Sequence, residues 1–127
     1  MQKLVSYFAL SIVFIWFMLG GVTHFTSPDF FVAIMPPYLP WHLEIVYVSG
    51  GLEILFAGLL VPLRTRQLAG NLLILLTVLV TPANIHMWMN PDLFPDVGPL
   101  FLSLRLVLQI ILLIVIWWST RAERWRS

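Results

Sequence analysis

The chain has 127 residues, of which 60% are hydrophobic and only 10% are charged, and its formal net charge is +1 at neutral pH. Soluble domains carry about 25% charged residues, so this composition excludes a water-soluble fold and indicates a lipid-facing surface. The small net charge gives no electrostatic basis for binding nucleic acid, and the absence of cysteine excludes thiol chemistry. The length allows a single integral membrane domain, residues 1–127.

Four long apolar runs predict four transmembrane helices, at about residues 4–24, 45–63, 67–89 and 100–120. Each run is close to the ~20 residues that a helix needs to cross about 30 Å of hydrocarbon. The first run follows Lys3 as a signal peptide would, but it is long enough to span, and residues 20–25 offer no small-residue cleavage site. We therefore expect it to be retained in an all-α fold, a four-helix transmembrane bundle.

Basic residues flank the predicted helices at one end only. Six of the seven would lie on the same side of the membrane: Lys3, Arg64, Arg66, Arg121, Arg124 and Arg126. The two opposite loops, about residues 24–44 and 90–99, hold no Lys or Arg and carry Asp29, Glu44, Asp92 and Asp96. Because cytoplasmic loops are enriched in Lys and Arg, the pattern predicts that both termini lie on the cytoplasmic side of a cell membrane.

The loop between the first two predicted helices is long and rich in proline and aromatic residues. Its four prolines forbid a long helix, and they are Pro28, Pro36, Pro37 and Pro40. Aromatic residues concentrate at the level of lipid head groups, so we expect an interfacial loop that lies on or dips into the outer membrane surface. The second outer loop, residues 90–99, carries three prolines and is expected to be stiff.

Polar residues at membrane depth gather near the outer side. Glu53 and Arg105 interrupt the second and fourth runs roughly 12 Å and 9 Å from that side, at 1.5 Å per residue. Isolated charges in lipid are costly, so we expect Glu53 and Arg105 to pair across the bundle. Five further polar residues lie near the same level: His24, Ser49, Asn84, His86 and Gln109. His42 and Glu44 lie at the mouth of the cluster.

This one-sided cluster favours a pocket that opens to the outer face or outer leaflet over a channel. A through-pore needs polar lining along its length, and the inner half offers chiefly Asn71 and Thr77. The Glu53–Arg105 pair has three open interpretations: a clamp that fixes helix register, part of a ligand pocket, or a contact with lipid or another subunit. The histidines could hold a metal together with Glu53 or Glu44, but no dense motif such as HExxH is present, so no metal site is predicted.

Several short motifs lie along nearly the whole chain: Gly21-Val22-Thr23-His24-Phe25, Pro28-Asp29-Phe30-Phe31, Ile34-Met35-Pro36-Pro37, Leu39-Pro40, Tyr47-Val48-Ser49-Gly50 with Glu53, Pro82-Ala83-Asn84-Ile85-His86-Met87, and Arg105 with Gln109. Together they resemble the motifs of the DoxX-like family of small bacterial membrane proteins. Thr81 departs from the pattern, since relatives often carry Phe there. The resemblance implies a four-helix membrane bundle, and it implies association with bacterial membrane redox systems, including a quinone-linked thiosulfate-oxidising enzyme, or with oxidative-stress complexes. Distant eukaryotic relatives act in assembling other membrane proteins.

Three functional hypotheses are open. In the first, the protein is an accessory or binding subunit of a redox or stress-related system in the inner membrane, and its outer-leaflet pocket takes a quinone or lipid-like ligand. Arg105, Asn84 or His86 would donate to a quinone carbonyl, and Glu53 or His86 would exchange protons. In the second, it is a non-catalytic structural or assembly partner of another membrane protein, or of a second copy, and the polar network only stabilises the bundle. In the third and least favoured, it is an independent enzyme, such as an isomerase that uses Glu53 with His24 or His86.

Overall fold

A computed structural model of the protein describes residues 2–33, 35, 37–93, 98–121 and 125. These residues form five α-helices and one 3₁₀ turn, and no strand occurs among them. In chain order the elements are α1 (Gln2–Thr26), α2 (Pro28–Ala33), α3 (His42–Leu59), α4 (Arg66–Met89), the 3₁₀ turn (Pro91–Leu93) and α5 (Pro99–Thr120). Arg124, Arg126 and Asp96 of the charge pattern, and Ile34 and Pro36 of the interfacial loop, lie outside the described residues.

Four of the helices are long and apolar enough to cross a membrane. They are Lys3–Thr26, His42–Leu59, Arg66–Met89 and Leu100–Thr120. Many of their large apolar side chains are exposed, as a surface that faces acyl chains requires. The predicted four-span, all-helical architecture is therefore confirmed, and the chain is a multi-pass membrane protein.

The four spanning helices form a ring in chain order, in which each helix packs against the next and α5 packs back against α1. α1 packs most extensively against α3, and α4 packs most extensively against α5. The ring is completed by smaller contacts of α3 with α4 and of α1 with α5. It follows that α3 and α5 lie on one diagonal of the bundle, and α1 and α4 on the other.

Glycine allows close approach within both tight helix pairs. A Cβ on Gly21 of α1 would lie 2.7 Å from the carbonyl oxygen of Gly50 and 2.6 Å from Cγ1 of Ile54, both on α3. A Cβ on Gly70 of α4 would overlap the side chain of Thr120 on α5. Small residues bring helix backbones together in membrane proteins, where packing replaces the hydrophobic effect as a driving force.

The connection between α3 and α4 is longer and begins earlier than the apolar run predicts, because α3 ends at Leu59 rather than near residue 63. The hydroxyl of Thr65 donates to the carbonyl of Leu59 at 2.6 Å. Arg66 donates from Nε to the carbonyl of Leu60 and from its terminal nitrogen to that of Val61, each at 2.9 Å. These side-chain bonds satisfy the carbonyls left over at the end of α3.

The main hydrophobic core lies toward the end of the bundle where α1 begins and α5 ends, which we call the terminal end. It is built from Leu10, Val13, Phe17, Ala57, Leu60, Ala69, Leu73, Ile116 and Trp125. Trp125 comes from beyond α5, and its indole Nε1 donates to the carbonyl of Ser119 at 2.7 Å. The opposite end, which carries α2 and the 3₁₀ turn, is called the loop end below.

Candidate functional site

Two polar clusters lie at the same height near the loop end. Tyr7 of α1 and Arg66 of α4 both contact the Trp125 ring, with centroid distances of 4.8 Å and 4.3 Å, so they share a level at the terminal end. From that level, His24 on α1 and Asn84 on α4 lie about 25 Å and about 27 Å further along helices that run in the same direction. The polar groups of α1 and α4 therefore lie at about the same depth in the bundle.

The first, the α1–α3 cluster, consists of Gly20, His24 and Glu53. Nδ1 of His24 lies 2.6 Å from the carbonyl oxygen of Gly20 and 3.2 Å from Oε2 of Glu53. The side chains of His24 and Glu53 are only 11% and 15% exposed. A Cβ on Gly20 would lie 3.5 Å from Oε2 of Glu53, so the carboxylate sits directly over this glycine. Sequence analysis predicted His24 and Glu53 at similar depth but did not predict their contact.

Phe31 of α2 forms the roof of this cluster. Its ring stacks on the His24 imidazole with centroids 3.9 Å apart and planes 19° apart. Phe30 meets Phe31 edge to face at 5.4 Å. The segment between α1 and α3 thus contributes a side chain to the site. No pattern in the sequence indicated that this would be Phe31, because the segment contains several other aromatic residues.

The second, the α4–α5 cluster, consists of Thr81, Asn84, Arg105 and Gln109. Arg105 donates to Oδ1 of Asn84 at 3.0 Å, and Nδ2 of Asn84 donates to Oε1 of Gln109. Gln109 in turn donates from Nε2 to the hydroxyl oxygen of Thr81. Because Thr81 and Asn84 are one turn apart on α4, and Arg105 and Gln109 one turn apart on α5, the four side chains form one continuous chain of hydrogen bonds.

Thr81 was missed as a site residue. It departs from the DoxX-like pattern, and its spacing from Asn84 was the one signal that could have identified it. Its hydroxyl also donates to the carbonyl of Thr77 at 2.9 Å. The hydroxyl therefore donates one hydrogen bond and accepts another. Pro82 lies between Thr81 and Asn84 inside α4, where it removes one backbone donor.

The predicted ion pair between Glu53 and Arg105 is wrong as a direct contact. Within the described part of the chain, Glu53 has its only ion-pair contact with His24, and the side chain of Arg105 bonds Asn84. The physical reason is the ring order of the helices: α3 and α5 lie on a diagonal, whereas each pairs closely with a different neighbour. Oε2 of Glu53 and Nε of Arg105 are both buried and have no hydrogen-bond partner among the described residues.

Three other residues predicted for the cluster stand apart from it. Ser49 donates to the carbonyl of Val46 on its own helix at 3.1 Å. His86 is half-buried, and its Nδ1 lies 3.3 Å from Nδ2 of Asn90. Glu44 is exposed in the first turn of α3. The structure therefore brings together His24 and Glu53 on one side and Asn84, Arg105 and Gln109 on the other.

The two clusters offer hydrogen-bonding groups rather than a metal-binding set. Within the described ranges, no group of three or more His, Cys, Asp or Glu side chains could hold a metal ion. A buried carboxylate oxygen and a buried guanidinium N–H instead present one acceptor and one donor at similar depth. Chemically, these two atoms can accept and donate one hydrogen bond respectively.

Fold and site together define a multi-pass helical membrane protein with one polar cluster in each of its two tight helix pairs. The chain belongs to the family described as "Domain of unknown function (DUF8561)", which it matches over residues 13–121. That range includes every residue of both polar clusters. Comparison with curated proteins and with solved structures found no match. The resemblance to DoxX-like proteins stays a prediction.

Proposed function

We propose that this protein binds the polar head group of a lipid-like molecule, with quinones among the candidates, between its two helix pairs at the loop end. The observation that carries the proposal is the pair of buried, unpartnered polar atoms, Oε2 of Glu53 and Nε of Arg105, at similar depth in the bundle. Buried polar groups are usually hydrogen-bonded, and exceptions concentrate where a ligand or ordered water completes the set.

The bundle offers a lateral route for such a ligand. The contacts of α3 with α4 and of α1 with α5 are much smaller than those inside the two tight pairs. A seam between two packed units separates more readily than the units themselves, because fewer contacts are lost. The ligand's apolar tail would then lie along the exposed apolar helix faces while its head group reaches the clusters.

The site is assigned to the outer leaflet, with both termini in the cytoplasm. Lys3, Arg64, Arg66 and Arg121 flank the terminal end, whereas Asp29, Glu44 and Asp92 lie at the loop end. The positive-inside rule then favours a cytoplasmic terminal end. In the bacterial inner membrane, this orientation would give a site at the periplasmic side.

The cellular role we propose is that of an accessory or binding subunit in a membrane redox or stress-related system. The support is the resemblance of the motifs around His24, Glu53, Asn84 and Arg105 to the DoxX-like family, which is an analogy of sequence pattern. An exchangeable proton at Glu53 or His24 would suit a ligand that changes its protonation on reduction.

The test is ligand binding by the purified protein in nanodiscs. Lipids co-purifying with the protein would be identified by mass spectrometry, and the affinity for short-chain quinones and glycerolipids would be titrated. We expect Glu53→Ala and Arg105→Gln to weaken binding, because each removes one of the two unpartnered polar groups. Arg64→Gln, an exposed charge change at the terminal end, is the matched control and should bind normally. Unchanged affinity in both site variants would contradict the proposal.

A second candidate function is that of a non-catalytic structural or assembly partner. The observation in its favour is the α4–α5 cluster, in which Thr81, Asn84 and Gln109 satisfy one another without a ligand. Tyr38 and Trp41 in the interfacial loop, each 75% exposed, would then contact the partner or the membrane surface. This function would be favoured if Glu53→Gln lowers thermal stability while every ligand-binding measurement stays unchanged.

A further inference from the structure

Oε2 of Glu53 is a buried acceptor that receives no hydrogen bond from the described residues. The carbonyl oxygen of Gly20 can only accept, so its 2.6 Å contact with Nδ1 of His24 requires that Nδ1 carry the proton and donate it there. The 3.2 Å contact between the same nitrogen and Oε2 of Glu53 is therefore left without a hydrogen of its own. Oε2 is buried and accepts no hydrogen bond.

The guanidinium of Arg105, in contrast, has a buried donor that lacks an acceptor among the described residues. Its terminal nitrogen donates to Oδ1 of Asn84 at 3.0 Å, which fixes the plane of the group. Nε–H is buried and has no acceptor among the described residues. Oδ1 of Asn84 accepts from the terminal nitrogen of Arg105, and the amide nitrogen of Asn84 donates to Gln109.

Oε2 of Glu53 and Nε of Arg105 belong to helices on opposite sides of the bundle. Glu53 sits over Gly20, which is one helical turn below His24, and His24 is level with Asn84 and hence with Arg105. The acceptor on α3 and the donor on α5 are therefore within about one turn, or roughly 5 Å, in depth. They lie on diagonal helices, so a group between the two helix pairs can face both.

We propose that the head group bound here is uncharged and carries a hydroxyl that donates to Glu53, together with an oxygen that accepts from Arg105. This inference rests on the proposed function and specifies the ligand's chemistry. A head group with accepting oxygens only would serve Arg105 and leave Glu53 unpaired. A phosphate would also serve Arg105, but it would bring a charged group into a buried site, and burying a charge costs far more than burying a neutral polar group. A hydroxyl group both donates and accepts, which matches both protein groups.

The same chemistry could come from a quinol or from a neutral glycerolipid, and two matched probe pairs separate these sources. The first pair is decylubiquinol and decylubiquinone, titrated anaerobically. The second pair is dioctanoylglycerol and dioctanoylphosphatidic acid. Each would be titrated against the wild-type protein in nanodiscs, with tryptophan fluorescence as the readout. We expect the hydroxylated, uncharged member of the binding pair to bind at least about tenfold more tightly, because it alone adds a hydrogen bond to the buried Glu53 side chain.

The variant Glu53→Gln tests the direction of the hydrogen bond. A glutamine amide can donate to a carbonyl as well as accept from a hydroxyl, so the preference for the hydroxylated member should fall toward onefold. Asp92→Asn makes the same chemical change at an exposed position of the loop end and should keep the wild-type preference. Circular dichroism and gel filtration would verify that both variants fold. If Glu53→Gln does not fold, the ratio of the wild-type protein's affinities for the two members of a probe pair still tests the inference.

The outcomes separate this inference from the function on which it rests. Equal affinity for both members of a binding pair, or tighter binding of the quinone or the phosphate, would overturn the inference and leave lipid binding in place. A preference that persists unchanged in Glu53→Gln would overturn it as well. No binding of any of the four probes would overturn the proposed function itself.

Discussion

The guanidinium carbon of Arg66 lies 4.3 Å from the centroid of the Trp125 indole ring. The first residue of α4 and a residue beyond the end of α5 thereby hold each other at the terminal end. Lys3 adds a 3.4 Å hydrogen bond from Nζ to the carbonyl of Trp125, and Tyr7 meets the indole edge to face. Trp125 therefore connects α1, α4 and α5 on the side of the bundle away from the polar site.

We predict that Trp125→Ala lowers the free energy of unfolding by about 3–5 kcal/mol, the range for truncating a buried Phe or Trp. Trp125 is 5% exposed and belongs to the main core, so the change leaves a cavity. Unfolding in detergent micelles would give the value. Trp16→Ala is the control, because Trp16 is 52% exposed on the lipid-facing side of α1 and should cost much less. Equal losses in the two variants would contradict the packing described for Trp125.

Gly21→Ala is expected to destabilise the protein by about 1–3 kcal/mol, the usual cost of overpacking. The new Cβ would lie 2.6–2.7 Å from Ile54 and from the backbone of Gly50, so α1 and α3 must move apart. Gly58→Ala provides the matched control on α3, where an added Cβ meets nothing within 4 Å. That change should be neutral or stabilise by up to about 1 kcal/mol, because alanine favours the helix more than glycine does. Thermal unfolding of both variants would test this difference, and a loss in Gly58→Ala equal to that in Gly21→Ala would contradict it.

Sequence reasoning was sufficient for the spans because the free energy of placing apolar residues in lipid is a local property of each run. It located the ends less well where apolar residues also occupy turns. Leu60 is buried in the core and continues the apolar run after α3 has ended at Leu59, so hydropathy alone cannot place that end. The short helix α2, Pro28–Ala33, was hidden in the same way within a proline-rich loop.

Sequence reasoning grouped the polar residues by depth but did not give their pairings. Depth along each helix follows from residue number, so Glu53, His24, Asn84, Arg105 and Gln109 could be assigned to one level. Which helices are neighbours depends on side-chain packing, such as the fit of Gly21 against Gly50, and that information is not carried by hydropathy or charge. The expected Glu53–Arg105 pair failed for this reason.

Asn84→Ala should destabilise the bundle by about 1–3 kcal/mol, because it leaves polar atoms of Arg105 and Gln109 without partners. Asn71→Ala is a close control, since Asn71 also accepts a hydrogen bond from an arginine, Arg121, but at an exposed position. Its cost is expected to stay within about 0.5 kcal/mol. Unfolding of both variants in the same detergent would be compared. If the two cost the same, the α4–α5 cluster contributes no more than a surface contact.

Phe31→Ala is predicted to open the α1–α3 cluster to water-soluble reagents. Phe31 covers the imidazole of His24, whose side chain is only 11% exposed in its presence. The rate at which diethyl pyrocarbonate modifies His24, followed by mass spectrometry, should rise several-fold. Modification of His42 provides an internal reference in the same sample. Phe30→Ala is the control because Phe30 contacts Phe31 but is not stacked on His24, and a similar rise in that variant would contradict the assignment of Phe31 as the roof.

Single cysteines would test the proposed orientation without background, because the native chain contains none. Leu63→Cys lies in the exposed connection between α3 and α4, and Asp92→Cys lies in the 3₁₀ turn of the loop end. Neither change removes a basic residue, and acidic residues contribute little to topology, so both variants should keep the native orientation. A membrane-impermeant maleimide applied to spheroplasts should label Asp92→Cys at once and Leu63→Cys only after lysis. The reverse pattern would move the terminal end to the outside and the polar site to the inner leaflet.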